Sequence, residues 1–214
     1  MRRPRGTELG KELKMKKLTV LLLLLVVIGA DVAGAPSEEK EPKHNDRLAE
    51  ADRLFNLGLK HRDRAWEYEK KASGTKGTKD RDVYTASAER EYKLAIEAFR
   101  SAVKQNSRHH EGFGSLGYAL RKIGQYDEAL KAYDRALAMK PNYAEALEYR
   151  AEAYLGLNRV EDAKSDYRRL VGLDKEQART FLTAASEWSG ASGDFAVWVS
   201  KEKEKLGAGE GERW

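Results

Sequence analysis

The chain holds 214 residues, 41% of them hydrophobic and 35% charged, and it contains no cysteine. Without a thiol there is no disulfide, no thiolate metal site and no cysteine for lipid attachment. The net charge of +5 is concentrated at the start, where residues 1–35 carry seven Lys or Arg against three acids and leave an excess of one for residues 36–214; basicity is a property of the leader and does not direct the folded part toward nucleic acid.

In chain order, Lys16-Lys17 followed by LTVLLLLLVVIGA has the positive start and short apolar run of a secretory signal. The run is shorter than the ~20 residues of a comfortable membrane-spanning helix, and Asp31 stops its extension. Residues 1–35 are therefore expected to be a signal peptide or N-terminal anchor. The expected location is periplasmic or secreted; the alternative is an anchor in the cytoplasmic membrane through residues 18–30, the one membrane contact the sequence suggests. Small residues place candidate cuts after Ala30, Gly34 or Ala35, and the polar lead MRRPRGTELGKELK makes Met15 a second candidate start. Residues 36–44 follow as a polar tether with two prolines and nothing to bury.

Asn45 or Asp46 is placed to cap a long helix to about Lys71, with Leu48, Ala51, Leu54, Phe55 and Gly58 on one stripe and Ala65, Trp66 and Tyr68 continuing it. The polar, glycine-containing stretch Ser73 to Lys79 predicts a loop. Its Gly-Thr-Lys lacks the full phosphate-loop pattern and a preceding strand. From Asp80, read as a cap, a second long helix to Gln105 buries Val83, Tyr92, Ala95, Ile96, Phe99 and Val103. Residues 110–141 then give one amphipathic helix, a break at Gly124 and a second helix with Ala129, Tyr133 and Ala136 on one face. Asn142 with Glu145 fits a capping box, and Asp174 with Gln177 repeats the device. A helix over 175–188 places Ala178, Phe181, Leu182, Ala185 and Trp188 at helical intervals. After a break at 190–193, with Asp194 as a further cap, Phe195 to Val199 begin a short last helix that gives way to the charged run Lys201–Lys205 and a flexible tail, 207–214.

A fixed period of 34 residues joins these elements: Tyr92 and Tyr126; Ala95, Ala129 and Ala163; Phe99, Tyr133 and Tyr167; Ala102, Ala136 and Leu170. A pair of short helices cannot bury its own apolar face and must stack on a copy of itself. Gly117 and Ala151, with Ala129 and Ala163, are expected where the two helices of a hairpin approach closely. Residues 110–143 resemble a tetratricopeptide repeat, with Phe113, Leu116, Gly117, Leu120, Gly124, Tyr126, Ala129, Tyr133, Ala136 and Pro141 on its signature places. Residues 144–173 resemble a second, departing at Arg150, where the family has Leu, and at Lys175, where it has Pro. The preceding unit keeps only its second helix, and Leu54, Leu57 and Gly58 echo Phe113, Leu116 and Gly117, so the helix from 45 is expected to be its first. The resemblance implies an all-α fold of stacked antiparallel hairpins forming a short right-handed superhelix over residues 45–206: a helix pair at 45–105, repeats at 110–143 and 144–173, and capping helices at 175–206. Trp198 is read as part of the cap, with exposure to a partner as the alternative.

The sequence offers no catalytic chemistry. His44, His61, His109 and His110 lack a ligand spacing, which leaves capping or surface roles; Glu145, Glu148 and Glu152 read as solvated acids; and no nucleophile stands beside a base. No enzyme, metal or cofactor is expected. The resemblance places Glu111, Gly114, Tyr118, Arg121 and Lys122, then Glu145, Glu148, Glu152 and Leu155, on a concave face. The predicted partner-binding residues are Tyr118, Arg121, Lys122, Glu148 and Glu152, a basic patch followed by an acidic one. Family members that grip a C-terminal carboxylate carry Lys and Asn at the latter places, so that ligand is not implied here. The expected function is a non-enzymatic scaffold or adaptor of the bacterial cell envelope that holds a peptide or protein in the groove. The alternative is a structural, self-assembling envelope module associating through its terminal helices.

Overall fold

Small residues seven apart decide how the first two helices meet. In α1 (His44–Gly74) the buried positions are Ala51, Gly58, Ala65 and Ala72, a spacing that keeps one stripe on one side of a helix. That stripe lies against α2 (Thr78–Gln105), which buries Ala88, Tyr92, Ala95, Ile96, Ala98, Phe99 and Ala102. A Cβ at Gly58 would run into the Phe99 ring, so glycine sets how closely the two helices lie.

The computed structural model describes residues 44–188 and 190–208, all within the unit Lys43–Trp214. The expected signal or anchor, tether and tail fall largely outside the described residues. Within them every regular element is an α-helix. After α1 and α2 come α3 (His110–Lys122), α4 (Tyr126–Met139), α5 (Ala144–Gly156), α6 (Val160–Leu173), α7 (Lys175–Glu187) and α8 (Gly193–Ala208). Helices α1 and α2, α3 and α4, and α5 and α6 form hairpins; α2 packs on α3, α4 on α5, and α7 covers α5 and α6 beneath α8. This is the stacked-hairpin, all-α architecture expected.

The period becomes the core. Phe99, Tyr133 and Tyr167 are all buried, as are Ala95, Ala129 and Ala163, and Ala102, Ala136 and Leu170. A Cβ at Gly117 would sit 2.5 Å from Tyr133 Cε1, which is why the first helix of this hairpin has glycine there. The hairpin turns repeat too. Gly124 (φ 76°) and Asn158 (φ 57°) are left-handed, and each is followed by a backbone N–H that bonds back to the helix end, Gln125 to Leu120 O at 2.9 Å and Arg159 to Tyr154 O at 2.8 Å. Glycine and asparagine are the residues that adopt this conformation at least cost.

Four local expectations are corrected. Ser73 and Gly74 remain in α1, and Thr78 and Lys79 already belong to α2, so the link is only Thr75–Gly77. The hydroxyls of Ser73 and Thr75 donate to Lys70 O at 3.0 Å and Lys71 O at 2.7 Å, folding back on the last turn instead of opening a loop. Asp80 is a first-turn residue, because Gly77 takes the cap position. The capping box at Asn142 and Glu145 is not formed: Tyr143 occupies the cap position without a side-chain bond, its ring being drawn to Gly114 and His110. Finally, α8 begins at Gly193, leaving Asp194 in its first turn, and runs on through the charged stretch to Ala208. Glu202 accepts from Tyr167 Oη at 3.2 Å, and Arg179 Nη2 donates to Leu206 O at 3.2 Å, so the run has a packed side. Asp174 does cap α7, accepting from the amides of Glu176 and Gln177 at 2.9 and 3.1 Å.

Candidate functional site

The first helices of the hairpins, α1, α3 and α5, bring the predicted binding residues to one face. On α3, Tyr118 points away from Leu116 and Leu120, since two residues turn a helix by about 200°, and Arg121 stands about 100° from Leu120. Trp66 Nε1 of α1 donates to Tyr118 Oη at 2.6 Å, and the Tyr118 and Tyr149 rings meet edge to face with centroids 5.0 Å apart. Arg121 reaches across to α5 and bonds Glu152, its guanidinium 5.3 Å from the ring centroids of both Tyr118 and Tyr149. Lys122 turns the other way, to Glu69 of α1 at 2.7 Å.

Glu148 is 2% exposed, which corrects its reading as a solvated acid. Burial pushes its carboxyl group up to about 8, helped by the charge and hydrogen bonding of Glu152 and opposed by Arg121. Of these two carboxyl groups one turn apart on α5, Glu152 bonds the guanidinium and Glu148 feels its charge. A proton held on Glu148 relieves the repulsion that two buried carboxylates would feel. The Tyr133 hydroxyl is also pushed up, first by burial. Tyr133 Oη and Arg121 Nε are both buried without a hydrogen-bond partner among the described residues. The predicted residues therefore fall into two groups, Tyr118, Arg121, Glu148 and Glu152 in one cluster and Lys122 with Glu69 beside it. Each polar head that forms an ion pair does so within the chain.

Sequence reasoning missed the aromatic half of the site. Arg62, Trp66, Tyr118, Tyr143, Glu145 and Tyr149 are among the residues lining a cavity of about 140 Å³, room for one side chain and well short of a cofactor pocket. Arg62 stands 4.3 Å from the Trp66 ring centroid. The signal was present in the spacing of Arg62, Trp66 and Glu69 at i, i+4 and i+7, a second stripe beside the one that carries Ala65. His109 has a structural role: its Nδ1 accepts from the Gly112 amide at 2.9 Å and caps α3. Among the described residues no group of three His, Asp or Glu could hold a metal ion.

Residues 115–178 match the tetratricopeptide repeat family model. Over 88 residues, 41% of this chain, the sequence is 28% identical to a UDP-N-acetylglucosamine–peptide N-acetylglucosaminyltransferase of Giardia intestinalis, of which the match spans 6%. Among solved structures, a MamA protein shares 20% identity at a TM-score of 0.39, covering 64% of this chain and 76% of that one. A MamA RS-1 double mutant shares 18% identity at a TM-score of 0.45, covering 73% and 92%. The repeat match and the stacked-hairpin fold support a protein-binding scaffold in the general sense, without enzymatic chemistry. The expected periplasmic or secreted location is not carried forward: the solved chains it resembles are described as MamA proteins. The leader that motivated export lies outside the described residues, and among those residues no helix is long and apolar enough to cross a membrane.

Proposed function

We propose that the chain is a non-enzymatic scaffold that assembles with copies of itself through its terminal helices. The observation that carries this reading is a contrast in satisfaction. In the groove, Arg121 is bonded to Glu152 and Lys122 to Glu69, so a groove ligand must break pairs that are already made and re-cover their charges. At the ends of the stack, by contrast, Val83 on α2, expected to be buried, is 61% exposed and Val197 on α8 is 51% exposed, the two highest values among the exposed large apolar side chains of the described residues. Terminal hairpins of a stack expose the faces that inner hairpins bury, and such faces pair readily with another copy. Sedimentation equilibrium of the full chain over a range of concentrations is the test. The mass is expected to rise with concentration, to fall back in Val83→Glu and Val197→Glu, and to be unaffected by Tyr118→Ala; a monomer at every concentration contradicts the reading.

A second reading has its own observation, the aromatic cavity of about 140 Å³ between α1, α3 and α5. In it a partner peptide sets one side chain among Trp66, Tyr118, Tyr143 and Tyr149, while Arg121, Lys122, Glu148 and Glu152 exchange their internal partners for charges of the peptide. Affinity capture with the full chain beside a Tyr118→Ala, Arg121→Glu variant of unchanged helicity distinguishes the two. Loss of one specific partner favours the groove, and equal capture favours the ends.

A further inference from the structure

On the side of α3 turned away from the groove, Phe113, Leu116, Leu120 and Ala132 floor a trough of about 400 Å³ between α2, α3 and α4. Its rim carries Arg100, Lys131 and Arg135 with a single acid, Glu128, bonded to Arg100. Among the described residues no carboxylate is paired with Lys131 or Arg135; Arg135 lies over the Phe113 ring, 5.7 Å from its centroid.

The internal repeat shows what this place holds when it is filled. Thirty-four residues on, Arg150 replaces Leu116, Asp166 replaces Ala132 and Asp134 replaces Arg100. There Arg150 donates from Nε and Nη2 to the two oxygens of Asp166, both at 2.7 Å, and from Nη1 to Asp134 at 2.6 Å. Asp166 is 3% exposed. A two-pronged guanidinium contact of this kind fixes geometry as well as charge, and it joins α4, α5 and α6. The first trough has the opposite polarity. Its rim offers three cations against one carboxylate, its floor is apolar, and the charged group that would complete it is not supplied by α3.

We propose that this trough is a docking site for an acidic, apolar segment of a partner protein, whose carboxylates meet Lys131 and Arg135 while its apolar side chains lie along Phe113 and Leu116. The segment would supply from outside the ion pairing that Arg150 and its two aspartates supply from inside one repeat later. The site goes beyond the proposed self-assembly, since it lies outside the groove and includes neither Val83 nor Val197. Charge complementarity selects the sign of the partner, and the apolar floor supplies contact that exposed ion pairs alone do not give.

The test titrates the full chain into a short fluorescein-labelled peptide of Leu and Glu, and into its Leu and Lys counterpart, by fluorescence anisotropy at low and high salt. Lys131 and Arg135 are exposed, so the Lys131→Glu, Arg135→Glu double variant is expected to fold, which circular dichroism checks; a Lys131→Gln, Arg135→Gln variant removes charge without reversing it. The acidic peptide is expected to bind and the basic one not, with affinity falling about tenfold in the reversed variant, less in the neutral one, and unchanged in Tyr118→Ala. Equal binding of both peptides, binding of neither, or retention by the reversed variant overturns the site. So does loss in Tyr118→Ala, which assigns the peptide to the groove. Concentration-dependent self-association that disappears in the reversed variant assigns the trough to a second copy of this chain, and overturns it as well.

Discussion

The seams inside the hairpins and the cluster in the groove are built on opposite principles. At the seams, Gly58 faces Phe99 and Gly117 faces Tyr133, small against large, with no charge in the contact. In the groove, Arg121, Glu148 and Glu152 are brought together between α3 and α5, and the cluster holds only because charges and a proton are balanced. The first kind of contact tolerates no added volume, and the second tolerates no unpaired charge.

The sharpest way to break the comparison is Arg121→Ala. It leaves two partly to fully buried carboxyl groups without their cation and is expected to cost roughly 3 kcal/mol of stability in urea denaturation. Because Glu148 carries its proton below about 8, the stranded charge is that of Glu152, and adding Glu152→Gln is expected to recover part of that loss. If the single and double variants lose equally, the guanidinium does not hold Glu152.

Ala129→Leu probes the other side. Ala129 is fully buried while Glu128, one residue before it, faces solvent beside Arg100. Overpacking at Ala129 is expected to cost ~1–3 kcal/mol, against roughly 0.5 kcal/mol or less for Glu128→Leu. Equal losses would mean the helix is turned the other way.

A third change sharpens the comparison through pH. The folded chain holds the Glu148 proton up to about 8, whereas an unfolded glutamate releases it near ~4.3. Between those values the native state binds the extra proton, so this group's stabilisation is fully present below the window, falls as pH rises through it, and is gone above it. The slope is at most about 1.4 kcal/mol per pH unit. Glu148→Gln is expected to flatten that slope, so that the variant gains on the parent toward pH 8. Parallel pH profiles would show that Glu148 ionises normally in the fold.

The smallest effect is expected at a helix end. Asp174→Ala removes an acceptor for two amide groups at the start of α7 and is expected to cost ~1 kcal/mol, as is His109→Ala at α3. Neither should alter the pH slope assigned to Glu148.

How much of this was legible follows from the same contrast. The seams were readable because glycine and alanine recur at 34 residues opposite aromatic partners, and a repeat must reproduce its own packing. The groove residues were readable as a face, but not as a closed cluster. Glu148 looks like any acid on a charged helix until Glu152 and Arg121 are placed around it. Arg150 stood out as a departure from the repeat, yet its meaning lay in Asp134 and Asp166, each sixteen residues away, a symmetry with no local signature. The charged run in α8 read as a tail because the partners of Glu202 and Lys203, and of Leu206 just beyond the run, lie on α6 and α7, far off in sequence.

Hydrogen exchange of the full chain at low and high concentration tests the central claim most directly, because it reports each helix separately. Association through the ends predicts added protection around Val83 and Val197 as concentration rises, with residues 114–122 and 145–152 unchanged. Protection that appears in those groove segments while the two ends stay the same would contradict the account.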